Sequence, residues 1–263
     1  MTRTRTAVVT GAASGIGKAT VAALLEDGYR VFCWDRNTRA LAGTVDEFDR
    51  EHRGAAIPVE CDIASAKSVA AATRALNGAP IGVLVNNAAA WAPNGPLAAV
   101  SEEAWEDDLR LLLGGPQRVT AQLDSHLESG AAIVTVSSVH GLAGSPHWGT
   151  YDVAKAGLIN WTRVKAAELG PRGVTANVVA PGVVQLAAHS DPTLEAFHIS
   201  SGLVPRLGTP DDVARAIAFL ADPRNSFITG TVLVVDGGMT ARLGLTAQEV
   251  HSDLPSVSRG EIR

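Results

Sequence analysis

Short runs of apolar residues rich in valine alternate along this chain with longer segments in which apolar residues recur every three or four positions. The first pattern marks buried strands, the second helices that bury one face. Ala7-Val8-Val9-Thr10 reads as a strand and Ile16 to Asp27 as the helix after it. Arg30 to Trp34 is a second strand, followed by a helix over Thr38 to Glu51. Ala56 to Glu60 is a third, followed by a helix from Ser65, its N-cap, to Leu76. Ile81 to Val85, Ala131 to Val136, Val174 to Val179 and Val232 to Val235 supply four more strands. Helices over about Glu102 to Leu127, Thr150 to Leu169 and Asp211 to Leu220 precede the last three. Seven apolar strands with helical crossovers predict an α/β fold, a parallel sheet covered on both faces and doubly wound. No linker or repeat interrupts the pattern, so residues 1–241 read as one domain. From Arg242 the periodicity gives way to Ser, Pro and mixed charge, which predicts a tail over 242–263.

Composition narrows the partners. With 46% hydrophobic and 19% charged residues in 263, the chain has ample material for a core and is not disordered in bulk. A formal net charge of −5 argues against nucleic acid, whose phosphates call for a basic surface. No segment reaches the roughly 18 apolar residues of a membrane span, so no membrane partner is expected. The basic start, Met1 to Arg5, precedes Ala7-Val8-Val9 and imitates an export signal. Thr10-Gly11 ends that run far short of the about 7–15 residues such a signal needs. Cys33 and Cys61 lie in or beside apolar runs without metal-ligand spacing. They read as buried reduced thiols; no metal is expected, and a cytoplasmic location fits.

The candidate chemistry begins at Thr10-Gly11-Ala12-Ala13-Ser14-Gly15-Ile16-Gly17, between the first strand and first helix. Glycines there let a backbone approach a pyrophosphate, and the helix offers free N–H groups and a positive dipole end. Gly11, Ser14, Gly15, Ile16 and Gly17 are the candidate contacts. Three glycines are a weak signal in a chain that has 26. The place of the loop strengthens it, as does Asp35, 18 residues after Gly17 at the end of the second strand. A carboxylate there accepts from both ribose hydroxyls of NAD and repels the 2′-phosphate of NADP. Arg36 could pair with that phosphate, so NADP stays the alternative. Asp62, and Asn86-Asn87-Ala88-Ala89, follow the third and fourth strands where adenine and ribose would lie.

Tyr151 and Lys155 are four apart on a predicted helix and project from one face. A nearby ammonium, helped by an oxidised nicotinamide, is expected to lower the phenol pKa and let Tyr151 exchange a proton with a substrate oxygen. Ser138, just past the fifth strand, is placed to hydrogen-bond the same oxygen. With two tyrosines and four lysines in the chain, chance gives this spacing about 3 times in 100.

These motifs together resemble the short-chain dehydrogenase/reductase family, from Thr10 to about Gly238. The chain shares its Thr-Gly-x-x-x-Gly-Ile-Gly loop at Thr10 to Gly17 and its Asn-Asn-Ala at Asn86 to Ala88. It also has a serine thirteen residues before Tyr151, a Tyr-x-x-x-Lys at Tyr151 to Lys155 and Pro181-Gly182. Val235-Asp236-Gly237-Gly238 is similar to the family's C-terminal signature. The resemblance implies a Rossmann-type sheet of seven strands and an NAD(P)-dependent exchange of a secondary alcohol and a ketone. Ser138, Tyr151 and Lys155 would be catalytic. Asp62 and Ile63 would flank adenine. Asn87 and Ala88 would meet the ribose region. Pro181, Gly182 and the backbone N–H of Val184 would meet the nicotinamide, with Tyr151 and Lys155 also on the cofactor. A homotetramer or homodimer is implied, with helices four and five at one interface and the last strand and helix six at another.

Two departures stand out. Leu112 occupies the place of an asparagine that, in relatives, helps hold a water linking the lysine to solvent. Gly114-Gly115-Pro116 follows and suits a helix interior poorly, so helix four is expected to kink or break. Leu186 stands where a threonine is usual, with Gln185 beside it; Asn-Asn-Ala-Ala replaces Asn-Asn-Ala-Gly. They leave open a second reading, a cofactor-binding protein with a regulatory or structural role.

For substrate, the loop from Pro181 to Pro210 carries His189, Leu194, Phe197, Ile199 and Leu203, an amphipathic lid. Trp91, His140, Leu142, His147 and Trp148 would line the same cleft. An apolar, partly aromatic cleft predicts a cyclic or hydrophobic small molecule, with Ser138, His140, His147 and Trp148 as contacts and His147 the favoured polar one.

Overall fold

A computed structural model describes residues 5–90, 95–185 and 198–241. Seven parallel strands form the sheet: β1 (Thr6–Thr10), β2 (Arg30–Asp35), β3 (Ala56–Glu60), β4 (Ile81–Asn86), β5 (Leu127–Val136), β6 (Thr175–Pro181) and β7 (Val232–Val235). Their order is β3-β2-β1-β4-β5-β6-β7. The chain reverses direction of winding between β1 and β4, which leaves a crevice at the carboxyl ends of these strands.

Side-chain alternation assigns each face its helices. Ala7 and Val9 of β1 point to the layer of α1 (Gly15–Glu26), α2 (Thr38–Phe48) and α7 (Pro210–Ala221), where Val21, Leu24, Leu41, Val45, Val213 and Ile217 complete a buried cluster. Val8, between them, points to the opposite cluster with Val69 of α3 (Ala66–Arg74), Val119 and Leu123 of α5 (Gly114–Leu123) and Ala166 of α6 (Gly149–Leu169). Each fully buried valine or leucine contributes about 1.5–3 kcal/mol of transfer free energy. Ser65 caps α3 as expected, its Oγ accepting the Ser68 N–H. Thr209 and Asp212 form a capping box on α7. Cys33 and Cys61 are buried free thiols, each pushed up to about 12 by desolvation. No helix among the described residues is long and apolar enough to cross a membrane.

Two elements differ from the expected ones. β5 starts four residues early, at Leu127, because Ile81 pairs with Leu127 and Val83 with Ala132, so the surplus residues are extruded as a bulge. Gly130, at φ +79°, turns the chain there. The segment from Glu102 breaks as anticipated: α4 (Glu102–Leu112) stops, Leu113 leaves helical alignment, and α5 begins at Gly114. Pro116 then falls in the first turn of α5, where its missing N–H costs nothing. Gly115 has a tertiary cause, since a Cβ there would lie 2.5 Å from Ile63 Cδ1. Trp91, Leu186, His189, Leu194, Phe197 and the 242–263 segment lie outside the described residues.

Gly115→Val should therefore destabilise the protein by about 1–3 kcal/mol through overpacking. Chemical denaturation measures the loss. Adding Ile63→Ala should recover part of it if the clash with Ile63 is the cause.

Candidate active site

The glycine loop is shaped by contacts that leave no room for side chains. Gly11 and Gly15 take left-handed backbone, φ +68° and +53°. A Cβ on Gly17 would lie 1.9 Å from the Gly11 carbonyl oxygen, and one on Gly11 would lie 2.8 Å from Ala88 Cα. Asn87 closes the junction: its Nδ2 donates to the Thr10 and Gly11 carbonyls at 3.0 and 3.3 Å. The Thr10 hydroxyl accepts the N–H groups of Asn87 and Ala88. Ser14 makes no side-chain cap on α1, and no acid occupies the first turn. The positive end of α1 thus meets a bare backbone, which fits an anionic pyrophosphate.

Asp35 lies beside this loop. Its Oδ2 accepts the Ala13 N–H at 3.0 Å and its Oδ1 the Asn37 N–H at 2.8 Å. Each oxygen retains acceptor capacity for a ribose hydroxyl. Arg36 is exposed next to it. Asp62 is held by its own turn, its Oδ1 accepting the Ala64 N–H. The Ile63 side chain is committed to the gap at Gly115, so its backbone is what remains for an adenine. At the other end of the cleft, a Cβ on Gly182 would sit 2.8 Å from Asp236. Gly182 donates its N–H to Val235 O at 3.0 Å, so Pro181-Gly182 is held against Val235-Asp236, while Val184 bridges to Gly208. Ile199 is half-buried and Leu203 exposed, the latter donating its N–H to Gly237 O.

Ser138, Tyr151 and Lys155 converge where β5 ends on α6. The Ser137 hydroxyl donates to Lys155 O at 2.8 Å. A Cβ on Gly141 would lie 2.7 Å from the same oxygen. Ser138 is buried, its Oγ accepts the His140 N–H at 3.2 Å, and it lies close enough to the Tyr151 phenol to lower its pKa. Lys155 is 3% exposed; its Nζ donates to Val136 O at 3.0 Å and lies 5.4 Å from the Tyr151 ring centroid. Burial lowers the Lys155 pKa to about 8. Burial also raises that of Tyr151, against a lowering by the Ser138 hydrogen bond and with a further rise from Asp152. In the chain by itself, then, burial sets the direction of the phenol's pKa, and Lys155 is not among the groups that shift it.

Leu112 is buried at the end of α4, and Leu113 lies against Gly157 of α6. Of the cleft residues, His140 and Trp148 are grouped with Tyr151: the three ring centroids lie 5.2, 5.6 and 5.7 Å apart pairwise. His147, the favoured polar contact, is exposed and offers its carbonyl to the Gly95 N–H. The sequence reading missed Asp152. Its Oδ1 is 2.7 Å from His140 Nδ1, and its Oδ2 accepts the Ser145 N–H. The only signal available was a charged residue next to Tyr151.

The chain is similar to known oxidoreductases along nearly its whole length. A family profile described as enoyl-(acyl carrier protein) reductase matches residues 11–240. An uncharacterised oxidoreductase of Schizosaccharomyces pombe is 37% identical over 262 residues, 95% of this chain and 96% of its own length. The chain belongs to the short-chain dehydrogenase/reductase family. A cis-4-hydroxycyclohexanecarboxylate dehydrogenase of Sinomonas cyclohexanicum is 37% identical over 246 residues, 90% of this chain and 97% of its own. The crystal structure of a blue fluorescent protein from a metagenomic library in complex with NADPH superposes with a TM-score of 0.82 at 30% identity, covering 89% of this chain and 97% of that one. Membership in this dehydrogenase/reductase family makes the protein an oxidoreductase that uses a nicotinamide cofactor.

Lys155 provides a pH test. Its folded pKa lies below the unfolded value, so the folded state binds fewer protons between about pH 8 and the unfolded lysine pKa. The stability penalty is present below pH 8 and relieved as pH rises. Lys155→Met should stabilise the cofactor-free protein near pH 7, by on the order of a few kcal/mol at most. It should also remove the upward slope above pH 8, as read by denaturation at several pH values.

Proposed function

We propose that the protein is a NAD-dependent oxidoreductase that interconverts a secondary alcohol and a ketone on a cyclic or hydrophobic small molecule. The observation that carries the proposal is the convergence of Ser138, Tyr151 and Lys155 at the carboxyl edge of the sheet. The nicotinamide, when bound, takes or gives the hydride. The chain's own residues manage the oxygen. Ser138 donates a hydrogen bond to it, Tyr151 gives or takes its proton, and Lys155 places positive charge behind the phenol ring. Gly11, Ser14, Gly15, Ile16 and Gly17 would cradle the pyrophosphate, and Asp62, Ile63, Asn87, Ala88, Pro181, Gly182 and Val184 the remaining parts.

Asp35 favours NAD. Its carboxylate faces the glycine loop and would repel a 2′-phosphate. NADP is the alternative, supported by Arg36 next to Asp35 and by the NADPH held by the structural relative. A cyclic alcohol agrees with the aromatic group of His140, Trp148 and Tyr151 and with the substrate named for the Sinomonas relative. A homotetramer or homodimer is supported by the apolar residues left exposed near β7, Phe219, Phe227 and Val234. A cytoplasmic location is supported by the two free thiols. Leu112 favours the second reading, a cofactor-binding protein without redox activity.

Titration of tryptophan fluorescence with NADH and NADPH tests the cofactor: tight NADH binding is expected, tighter NADPH binding would overturn the choice of NAD, and binding of neither would remove both cofactor-dependent readings. Asp35→Ala should raise the affinity for NADPH relative to NADH; an unchanged ratio would show that Asp35 does not read the ribose. In a screen of secondary alcohols that includes cis-4-hydroxycyclohexanecarboxylate, Tyr151→Phe should cut turnover by at least about 10²-fold and leave NADH binding nearly intact. Retained turnover would overturn the assignment.

A further inference from the structure

We infer that His140 and Asp152 form a proton carrier that exchanges the Tyr151 proton with solvent. The inference rests on the oxidoreductase reading above. Asp152 follows Tyr151 on α6 and is buried, yet both its oxygens are engaged, one by His140 Nδ1 and one by the Ser145 N–H. A carboxylate at Nδ1 holds the proton on that nitrogen and leaves Nε2 as an acceptor. The Ser145 contact fixes the carboxylate, and Trp148 braces the imidazole ring at 5.2 Å. The ring stands at 77° to that of Tyr151 with centroids 5.7 Å apart.

Exposure separates the two basic groups beside the phenol. Lys155 is buried and its Nζ is bonded to Val136 O. The His140 side chain is 28% exposed, so it meets water on one side and Tyr151 on the other. Leu112, at the end of α4, is apolar and buried and offers a water nothing to bond. His140 therefore supplies a route to solvent that Leu112 does not.

The step balances as follows. In oxidation Tyr151 takes the alcohol O–H proton as the phenolate, a state that an oxidised nicotinamide's positive charge would favour against the burial that raises the phenol's pKa; the hydride leaving the carbon would go to that cofactor. The phenol O–H proton then moves to His140 Nε2, directly or through one water. The Asp152 carboxylate offsets the imidazolium, and the proton leaves from His140 to solvent. Neutral His140 and ionised Tyr151 are restored. Reduction runs the same transfers in reverse.

The test uses the full chain. In protein labelled with nitrogen-15 histidine, the resonance lost in His140→Gln should report a protonated Nδ1 and a bare Nε2; an Nε2–H tautomer would overturn the proposal. In oxidation of cis-4-hydroxycyclohexanecarboxylate, His140→Ala should lower kcat by about tenfold or more, with NADH binding unchanged and part of the rate restored by added imidazole. Asp152→Asn should lower kcat in the same direction without rescue by imidazole, and its NADH binding reports that the fold persists. A parental kcat in His140→Ala, or a lowered one that imidazole does not restore, would overturn the carrier and leave the oxidoreductase reading standing. Failure of the parent protein to oxidise any alcohol in the screen would instead remove the oxidoreductase reading, and the carrier with it.

Discussion

The carboxyl edge of the sheet depends on one crowded junction, where the first turn of α1 presses on the end of β1. The Gly17 position comes so close to the Gly11 carbonyl that no side chain fits between them. Asn87 then binds the carbonyls of Thr10 and Gly11, and the Thr10 hydroxyl binds the amides of Asn87 and Ala88. β1, α1 and β4 are thereby locked at the point where the sheet changes its winding direction. That is where a doubly wound fold leaves its crevice. The loop geometry is thus a consequence of close packing before it is a device for holding a phosphate.

A second constraint is the cost of polar burial on the other side of the crevice. Lys155, Asp152 and Ser138 are all buried at the seam of β5 and α6. Buried polar groups persist only when they are bonded. Lys155 has the Val136 carbonyl, Asp152 has His140 and Ser145, and Ser138 has the His140 N–H. Asp152 also lies in the first turn of α6, where a helix favours negative charge. Each partner holds the next in place, so the geometry around Tyr151 is set by a connected network.

The departure at Leu112 has a local cause. Ile63 reaches under α5 and Gly115 makes room for it, while Leu113 turns toward Gly157 on α6. The break between α4 and α5 leaves Leu112 buried and Leu113 packed on α6. The polar groups beside Tyr151 lie elsewhere, His140 between β5 and α6 and Asp152 in the first turn of α6.

Much of this was legible in the amino-acid order. Strands such as Thr6–Thr10 and Ile81–Asn86 announce themselves because a strand buried on both faces reads as a nearly continuous apolar run. The loop from Thr10 to Gly17 and the Tyr151–Lys155 spacing are equally local, since each lies within one turn or one helix. The strand order, the bulge at Gly130, the Asp152–His140 pair and the balance that raises the Tyr151 pKa were decided by the tertiary structure alone. His140 and Asp152 are twelve positions apart on different elements, and no periodicity links them. Desolvation likewise depends on everything packed around a group. Local sequence determines which elements form and which side chains they carry; only packing decides what those side chains face and how much water they keep.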